Sequence, residues 1–314
     1  MKPLYPEIAP FHTFFLEADA VHRIYVEQSG NPAGIPVIFL HGGPCSGTKP
    51  DHRRFFNPEH YHIVLLDQRG CGLSLPFGEL QANHTQGLIL DIEQIRKQLR
   101  IRQWLLFGGS WGATLALLYA QQYPERVMGM VLRGVFLARQ TDMVWFLQNG
   151  VNRIYPQTWQ NLLDSVSDQP GDDLLQKLCG AVFGEEPVAA ESAARHWQQW
   201  GGQVALGVDF VPSPELVDAR AVKQVQMELH YAWNHYFITE DQVLLNCALL
   251  QDIPTIIIHG QNDLTCPLEA GWLLSQALPQ ARYVVLPNAG HVAKGEEMID
   301  ALVSATDEMI EKLS

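Results

Sequence analysis

Basic residues are scarce in this chain: 21 Lys and Arg stand against 34 Asp and Glu, a formal charge of −13 over 314 residues. That balance argues against a nucleic-acid partner, which needs clustered Lys and Arg, and against docking on anionic lipid. No apolar run approaches the length of a membrane span, so no membrane partner is expected. The opening residues Met1-Lys2-Pro3-Leu4-Tyr5-Pro6 lack the charged and apolar blocks of a secretory signal. The five cysteines (Cys45, Cys71, Cys179, Cys247, Cys266) form no C-x-x-C pair and no zinc spacing, and their odd number fits reduced thiols in the cytoplasm. The histidines fall in no H-E-x-x-H or Cys/His cluster, so no metal site is expected.

What is abundant is core material. At 47% hydrophobic, the chain can fill one large core, or one core with an inserted subdomain. Residues 11–28 alternate as a β-hairpin, Phe11–Leu16 then Val21–Gln28. Short apolar runs at Val37–Leu40, Ile63–Leu66 and Leu105–Phe107 each end in a loop rich in Gly, Pro or Asp, as buried parallel strands do. Leu88, Ile92, Ile95 and Leu99 recur at helical spacing, which predicts an amphipathic helix over 86–100. A second helix runs from Trp111 to Gln122, and Met130–Leu132 is the next strand. Strands alternating with helices predict a doubly wound, mostly parallel α/β sheet.

From about Ala138 the texture changes. Trp145, Trp159, Trp197, Trp200 and Trp233 fall among helix-forming stretches, with turns at Pro156, Pro170, Pro187, Pro212 and Pro214. Strand texture returns at Ile253–His259 and Tyr283–Leu286, and Met298, Leu302, Ala305 and Met309 mark a closing helix. The expected organisation is a core in two parts, 1–137 and 247–314, interrupted by a helical cap at 138–246.

Chemistry enters at Gly108-Gly109-Ser110-Trp111-Gly112, which fits the G-x-S-x-G nucleophile elbow. A strand precedes it and a helix follows, so the serine hydroxyl would stand exposed on a strained turn. A serine hydroxyl is a weak nucleophile and needs a base oriented by a third group. In this arrangement the chain order is Ser, acid, His, which selects Asp263 after the strand Ile256–His259 and His291 after the next strand. His259 and Asp252 compete on paper, but His259 precedes the acid. His41-Gly42-Gly43-Pro44 follows a strand one unit earlier, and the backbone amides of Gly43 and Trp111 are candidates for an oxyanion hole.

Taken together, these motifs closely resemble the proline iminopeptidase family of α/β-hydrolases. The matching stretches are His41-Gly42-Gly43-Pro44, Asp67-Gln68-Arg69-Gly70-Cys71-Gly72, Asp91-Ile92-Glu93, the elbow, Val131–Phe136, Asn234-His235-Tyr236-Phe237 and His259–Asp263, nearly the whole chain. The resemblance implies the α/β-hydrolase fold with an inserted cap, and a cytoplasmic serine peptidase without cofactor that removes N-terminal proline from small peptides. It gives Ser110, Asp263 and His291 the triad roles and Gly43 and Trp111 the oxyanion hole. It also places Phe136, Phe146 and Cys266 in the proline pocket.

The pattern breaks in places that matter. Cys45 stands where the family continues with glycine, which would strain a turn needing positive φ. In the family two cap glutamates hold the substrate amine. Here Gly201 follows Trp197-Gln198-Gln199-Trp200, and Trp233 precedes Asn234. Trp233 is therefore expected to face substrate. Glu228 reads as a poor replacement, because five helical residues rotate it roughly 140° from position 233. An amine-binding role would otherwise need Asp209, Glu215 or another cap acid. The lost anchors keep two further readings open: an ester or amide hydrolase for a neutral small molecule, and a non-catalytic receptor on the same fold.

Overall fold

The computed structural model describes residues 1–212 and 217–313. One eight-stranded sheet organises them, in the order β1-β2-β4-β3-β5-β6-β7-β8. Its strands are β1 (His12–Glu17), β2 (Arg23–Gly30), β3 (Ile35–Leu40), β4 (Tyr61–Leu66), β5 (Trp104–Gly109), β6 (Val127–Arg133), β7 (Thr255–Gly260) and β8 (Arg282–Leu286). The hairpin β1–β2 joins the edge of β4 antiparallel; every other pairing is parallel. The runs Val37–Leu40, Ile63–Leu66 and Leu105–Phe107 are buried parts of β3, β4 and β5, whereas in the edge strand β8 only Leu286 of Tyr283–Leu286 is buried. β4, β5 and β7 are buried along their whole length, as strands covered on both faces must be.

Helices cover the two faces. On one side lie α1 (Thr85–Gln98), α2 (Trp111–Gln122) and α9 (Leu268–Ala277), whose buried side chains join Ile38, Leu106 and Ile257 in one cluster. On the other lies α10 (Glu296–Leu313). Its Met298, Leu302, Ala305 and Met309 pack with Phe55, Phe107 and Ile258. This is the α/β-hydrolase architecture expected from the alternation of strands and helices.

Between β6 and β7 the described residues form α3 (Gln140–Leu147), α4 (Pro156–Asp164), α5 (Leu174–Val182), α6 (Pro187–Leu206), α7 (Ala219–Trp233) and the short α8 (Gln242–Leu245). Leu147, Leu162, Leu178, Trp200 and Leu229 give them an apolar cluster of their own. Pro156 and Pro187, read from sequence as turns, instead occupy the first turns of α4 and α6. The missing N–H costs nothing there, because the first amides of a helix have no intrahelical partner. Asp173 and Asp218 cap α5 and α7 by accepting from Gln176 N and Ala221 N. Pro214 and Glu215 lie outside the described residues. Among the described residues no helix is long and apolar enough to cross a membrane.

Candidate active site

The strand β5 runs out in two glycines, and the backbone then reverses sharply. Ser110 takes φ 56°, ψ −127° before α2 begins at Trp111. The close crossing explains the flanking glycines: a Cβ on Gly108 would meet the Gly112 carbonyl, and a Cβ on Gly112 would strike the carbonyl of Leu40. Gly112→Ala is therefore expected to cost about 1–3 kcal/mol through overpacking against immobile backbone. Thermal denaturation checks this, and an unchanged midpoint would contradict the close approach.

Three side chains meet at this turn. Ser110 Oγ lies 3.1 Å from His291 Nε2, and His291 Nδ1 lies 2.8 Å from Asp263 Oδ2. With Nδ1–H donating to the carboxylate, Nε2 is left to accept the serine proton. Burial by itself would raise the Asp263 pKa. The charge and hydrogen bond of His291, the nearby His259 and the Cys266 amide, which donates at 2.8 Å, together hold it below the usual value. Asp263 thus stays ionised.

The competing histidine has another task. His259 is fully buried and donates from Nε2 to the Cys266 carbonyl at 2.8 Å. Burial lowers its pKa, against the pull of Asp263. It packs beneath the acid rather than facing Ser110, while Asp252 is exposed at the surface. Behind His291, Arg133 of β6 donates to the His291 carbonyl, and its own carbonyl accepts from Ser110 N at 3.0 Å. One residue therefore braces both the nucleophile and the base.

Gly43 has φ +114° and lines the cavity beside Ser110. The backbone N–H groups of Gly43 and Trp111 make no hydrogen bond to another described residue, leaving both free to receive a developing oxyanion. Cys45 does adopt the positive φ foreseen from sequence, 82°, and is buried. It packs with Cys71 and Met227, and its thiol points at the Gln224 carbonyl (3.4 Å) and Glu228 Oε1 (3.8 Å).

A cavity of about 280 Å³ adjoins Ser110. Phe136, Phe146 and Cys266 line it, with Cys266 Sγ 3.9 Å from Ser110 Oγ. Met143, Trp197 and Tyr236 add further apolar wall. Gly201 lines it as well, and a Cβ there would meet nothing within 4 Å.

Two readings of the cap require correction. Trp233 is 49% exposed at the end of α7 and lines an outer groove with Leu174 and Leu175, not the cavity. Glu228 does line the cavity, half-buried among Trp197, Gln224 and Cys45. The rotation between the two positions is as expected; the cavity lies on the Glu228 side of the helix. Its Oε2 accepts from Trp197 Nε1 at 2.6 Å and its Oε1 from Gln224 Nε2 at 3.3 Å. No Lys, Arg or His among the described residues forms an ion pair with it. Burial raises its pKa, only partly opposed by the hydrogen bonds from Trp197, Gln224 and Cys45. Its signal in the sequence was an acid set within the buried positions Val225, Met227, Leu229 and Tyr231. Asp209 is exposed, and Glu215 lies outside the described residues.

Residues 35–297 match the profile of the alpha/beta hydrolase fold family. The proline iminopeptidase of Neisseria meningitidis serogroup A is 43% identical over 307 residues, covering 97% of this chain and 98% of that protein. The proline iminopeptidase of Arabidopsis thaliana is 40% identical over 315 residues, covering 98% of this chain and 82% of that one. Among solved structures, the bromoperoxidase from Bacillus anthracis superposes with a TM-score of 0.59 at 19% identity, covering 96% of this chain and 99% of that one. At that identity the likeness bears on the fold alone.

Proposed function

The chain belongs to the proline iminopeptidase family of α/β hydrolases, and we propose that it removes N-terminal proline from small peptides through an acyl-enzyme. The observation that carries this reading is Glu228, a carboxylate without a cationic partner, facing the same cavity as the candidate nucleophile. A carboxylate partly withdrawn from water with no countercharge is costly, and a cationic ligand relieves that cost. The protonated ring nitrogen of an N-terminal proline is such a ligand, and Phe136, Phe146 and Tyr236 supply apolar surface for the ring.

In this reading Ser110 Oγ attacks the prolyl carbonyl carbon while His291 takes its proton. The amides of Gly43 and Trp111 receive the oxyanion. His291 then returns the proton to the departing amine, the C–N bond breaks, and the prolyl ester remains on Ser110. Water, deprotonated by the same imidazole, releases proline and restores the hydroxyl. Residues 138–246 act as the cap that closes the amine end of the cavity. Five free cysteines and an acidic surface fit a cytoplasmic enzyme that works on peptides rather than on nucleic acid or membranes.

The open space at Gly201 is the observation favouring a second reading, hydrolysis of neutral esters or amides. Turnover of a proline arylamide, its N-acetyl derivative and an aryl ester separates the two. We expect the free amine to be strongly preferred; equal turnover of the acetylated compound overturns the peptidase reading. A pH dependence follows. Only ionised Glu228 holds an ammonium, and burial raises its pKa above the usual value of about 4.3. On acidification, kcat/KM for the free amine should therefore fall relative to that for the aryl ester, starting above the ordinary carboxylate range. A constant ratio across that range would contradict the assignment.

A further inference from the structure

The loop after β4 carries Asp67-Gln68-Arg69, and two of these residues have evident structural tasks. Asp67 pins its surroundings by accepting from Thr48 N (2.6 Å), Thr48 Oγ1 (2.8 Å) and Leu73 N (2.8 Å). Arg69 forms a forked pair with Asp91 at 2.7 and 2.8 Å and also reaches Asp19 at 2.7 Å. Gln68, between them, points elsewhere.

Its side chain is only 2% exposed, and every polar atom is used. Oε1 accepts from the Trp111 indole Nε1 at 3.0 Å, and Nε2 donates to the His41 carbonyl at 2.8 Å. The Gln68 backbone N–H donates to His41 Nε2 at 3.0 Å, while His41 Nδ1 donates to the Gly42 carbonyl at 2.9 Å. His41 is buried, which lowers its pKa and keeps the imidazole neutral, as this donor–acceptor pattern requires. One residue thus binds both segments that carry the amides of Gly43 and Trp111. Those segments leave the paired strands β3 and β5, their backbones cross closely at Leu40 and Gly112, and past the strand ends the Gln68 side chain hydrogen-bonds to both.

We infer that Gln68 is a positioning residue of the oxyanion hole, holding the Gly43 loop and the Trp111 turn at the separation a tetrahedral intermediate requires. The inference rests on the hydrolase reading above. An oxyanion hole works only when its donors lie about 2.7–3.1 Å from where the charge develops. A planar amide suits this bridge because it offers an acceptor and a donor on one rigid group. Glutamate keeps the acceptor for the indole but turns a negative charge on the His41 carbonyl. Methionine fills the volume and bonds neither side.

The test uses the full chain, an aryl ester and a fluorophosphonate that labels reactive serines, so no amine anchor is involved. For Gln68→Met, kcat should fall about ten- to a hundredfold, the loss expected when donors are misplaced by a fraction of an ångström. KM should stay within about twofold, since the bridge serves the transition state rather than ground-state binding. The labelling rate should fall by the same factor as kcat, and Gln68→Glu should lose more. Trp111→Phe removes the same bond from the other end and carries the test if Gln68→Met does not fold. Its kcat should also drop about tenfold, and the double variant should fall short of the summed losses. Folded variants that lose thermal stability yet keep wild-type kcat and labelling rate overturn the inference and leave Gln68 as packing. A wild-type protein that neither labels nor cleaves the ester overturns the hydrolase reading, and this inference with it.

Discussion

Ser110→Ala is expected to lower kcat by about 10⁴- to 10⁶-fold and to abolish fluorophosphonate labelling, the scale seen when a triad nucleophile is removed. The size of the effect follows from the geometry. Ser110 Oγ is the atom within hydrogen-bond reach of His291 Nε2, and the imidazole is held from behind by Asp263 and by Arg133 at its carbonyl. Cys266 Sγ lies 3.9 Å from Ser110 Oγ, but burial pushes its thiol pKa well up, so it offers no thiolate to stand in. Residual turnover above that range would mean another group attacks the carbonyl. The fold should tolerate the change, because Ser110 Oγ anchors no backbone segment and alanine keeps the Cβ. Matching thermal midpoints for wild type and variant would separate lost chemistry from lost structure.

The second large effect is expected at Glu228. Glu228→Gln keeps the shape and an acceptor for the Trp197 indole but removes the charge. Leaving a buried ammonium without its carboxylate costs about 3–5 kcal/mol. At 1.36 kcal/mol per decade, kcat/KM for a proline arylamide should drop roughly a hundredfold to several thousandfold. Turnover of an aryl ester should change by less than about threefold, since no cation is bound there. Stability should not suffer. Burial raises the Glu228 pKa, so the ionised form is disfavoured in the folded state and a neutral amide relieves that penalty. A variant that lost ester and amide turnover equally would show that Glu228 supports the architecture instead of the substrate amine.

Most of the scaffold was legible because its signals are local. The buried strands β3, β5 and β7 read as short apolar runs, and α2 was bounded by the elbow and Pro124. That Ser110, Asp263 and His291 come together was legible from chain order and from their places just beyond strand ends. The helices between β6 and β7 were less so. Pro156 and Pro187 look alike as turn residues and as first residues of helices, and only the following sequence can decide. That Glu228 faces the cavity was missed because helical spacing gives the angle between two residues but not which of them faces inward. Taking position 233 as inward reversed the outcome, and the true phase was set by packing of Val225 and Leu229 against Trp200, a long-range contact. Gln68 was legible only as part of a matching motif. Its two partners, His41 and Trp111, converge on it from separate strands, and no spacing along the chain announces that.

The inserted helices pack around an apolar cluster of their own, whereas Ser110, Asp263 and His291 sit in the turns and loops that follow β5, β7 and β8. The cavity draws its lining from both parts: Phe136 and Cys266 follow the strands β6 and β7, while Phe146, Trp197, Gly201 and Glu228 come from the inserted helices. Gly201 sits on that inserted side, and because a Cβ there would meet nothing within 4 Å, evolution or engineering has room to begin reshaping the chamber at this position.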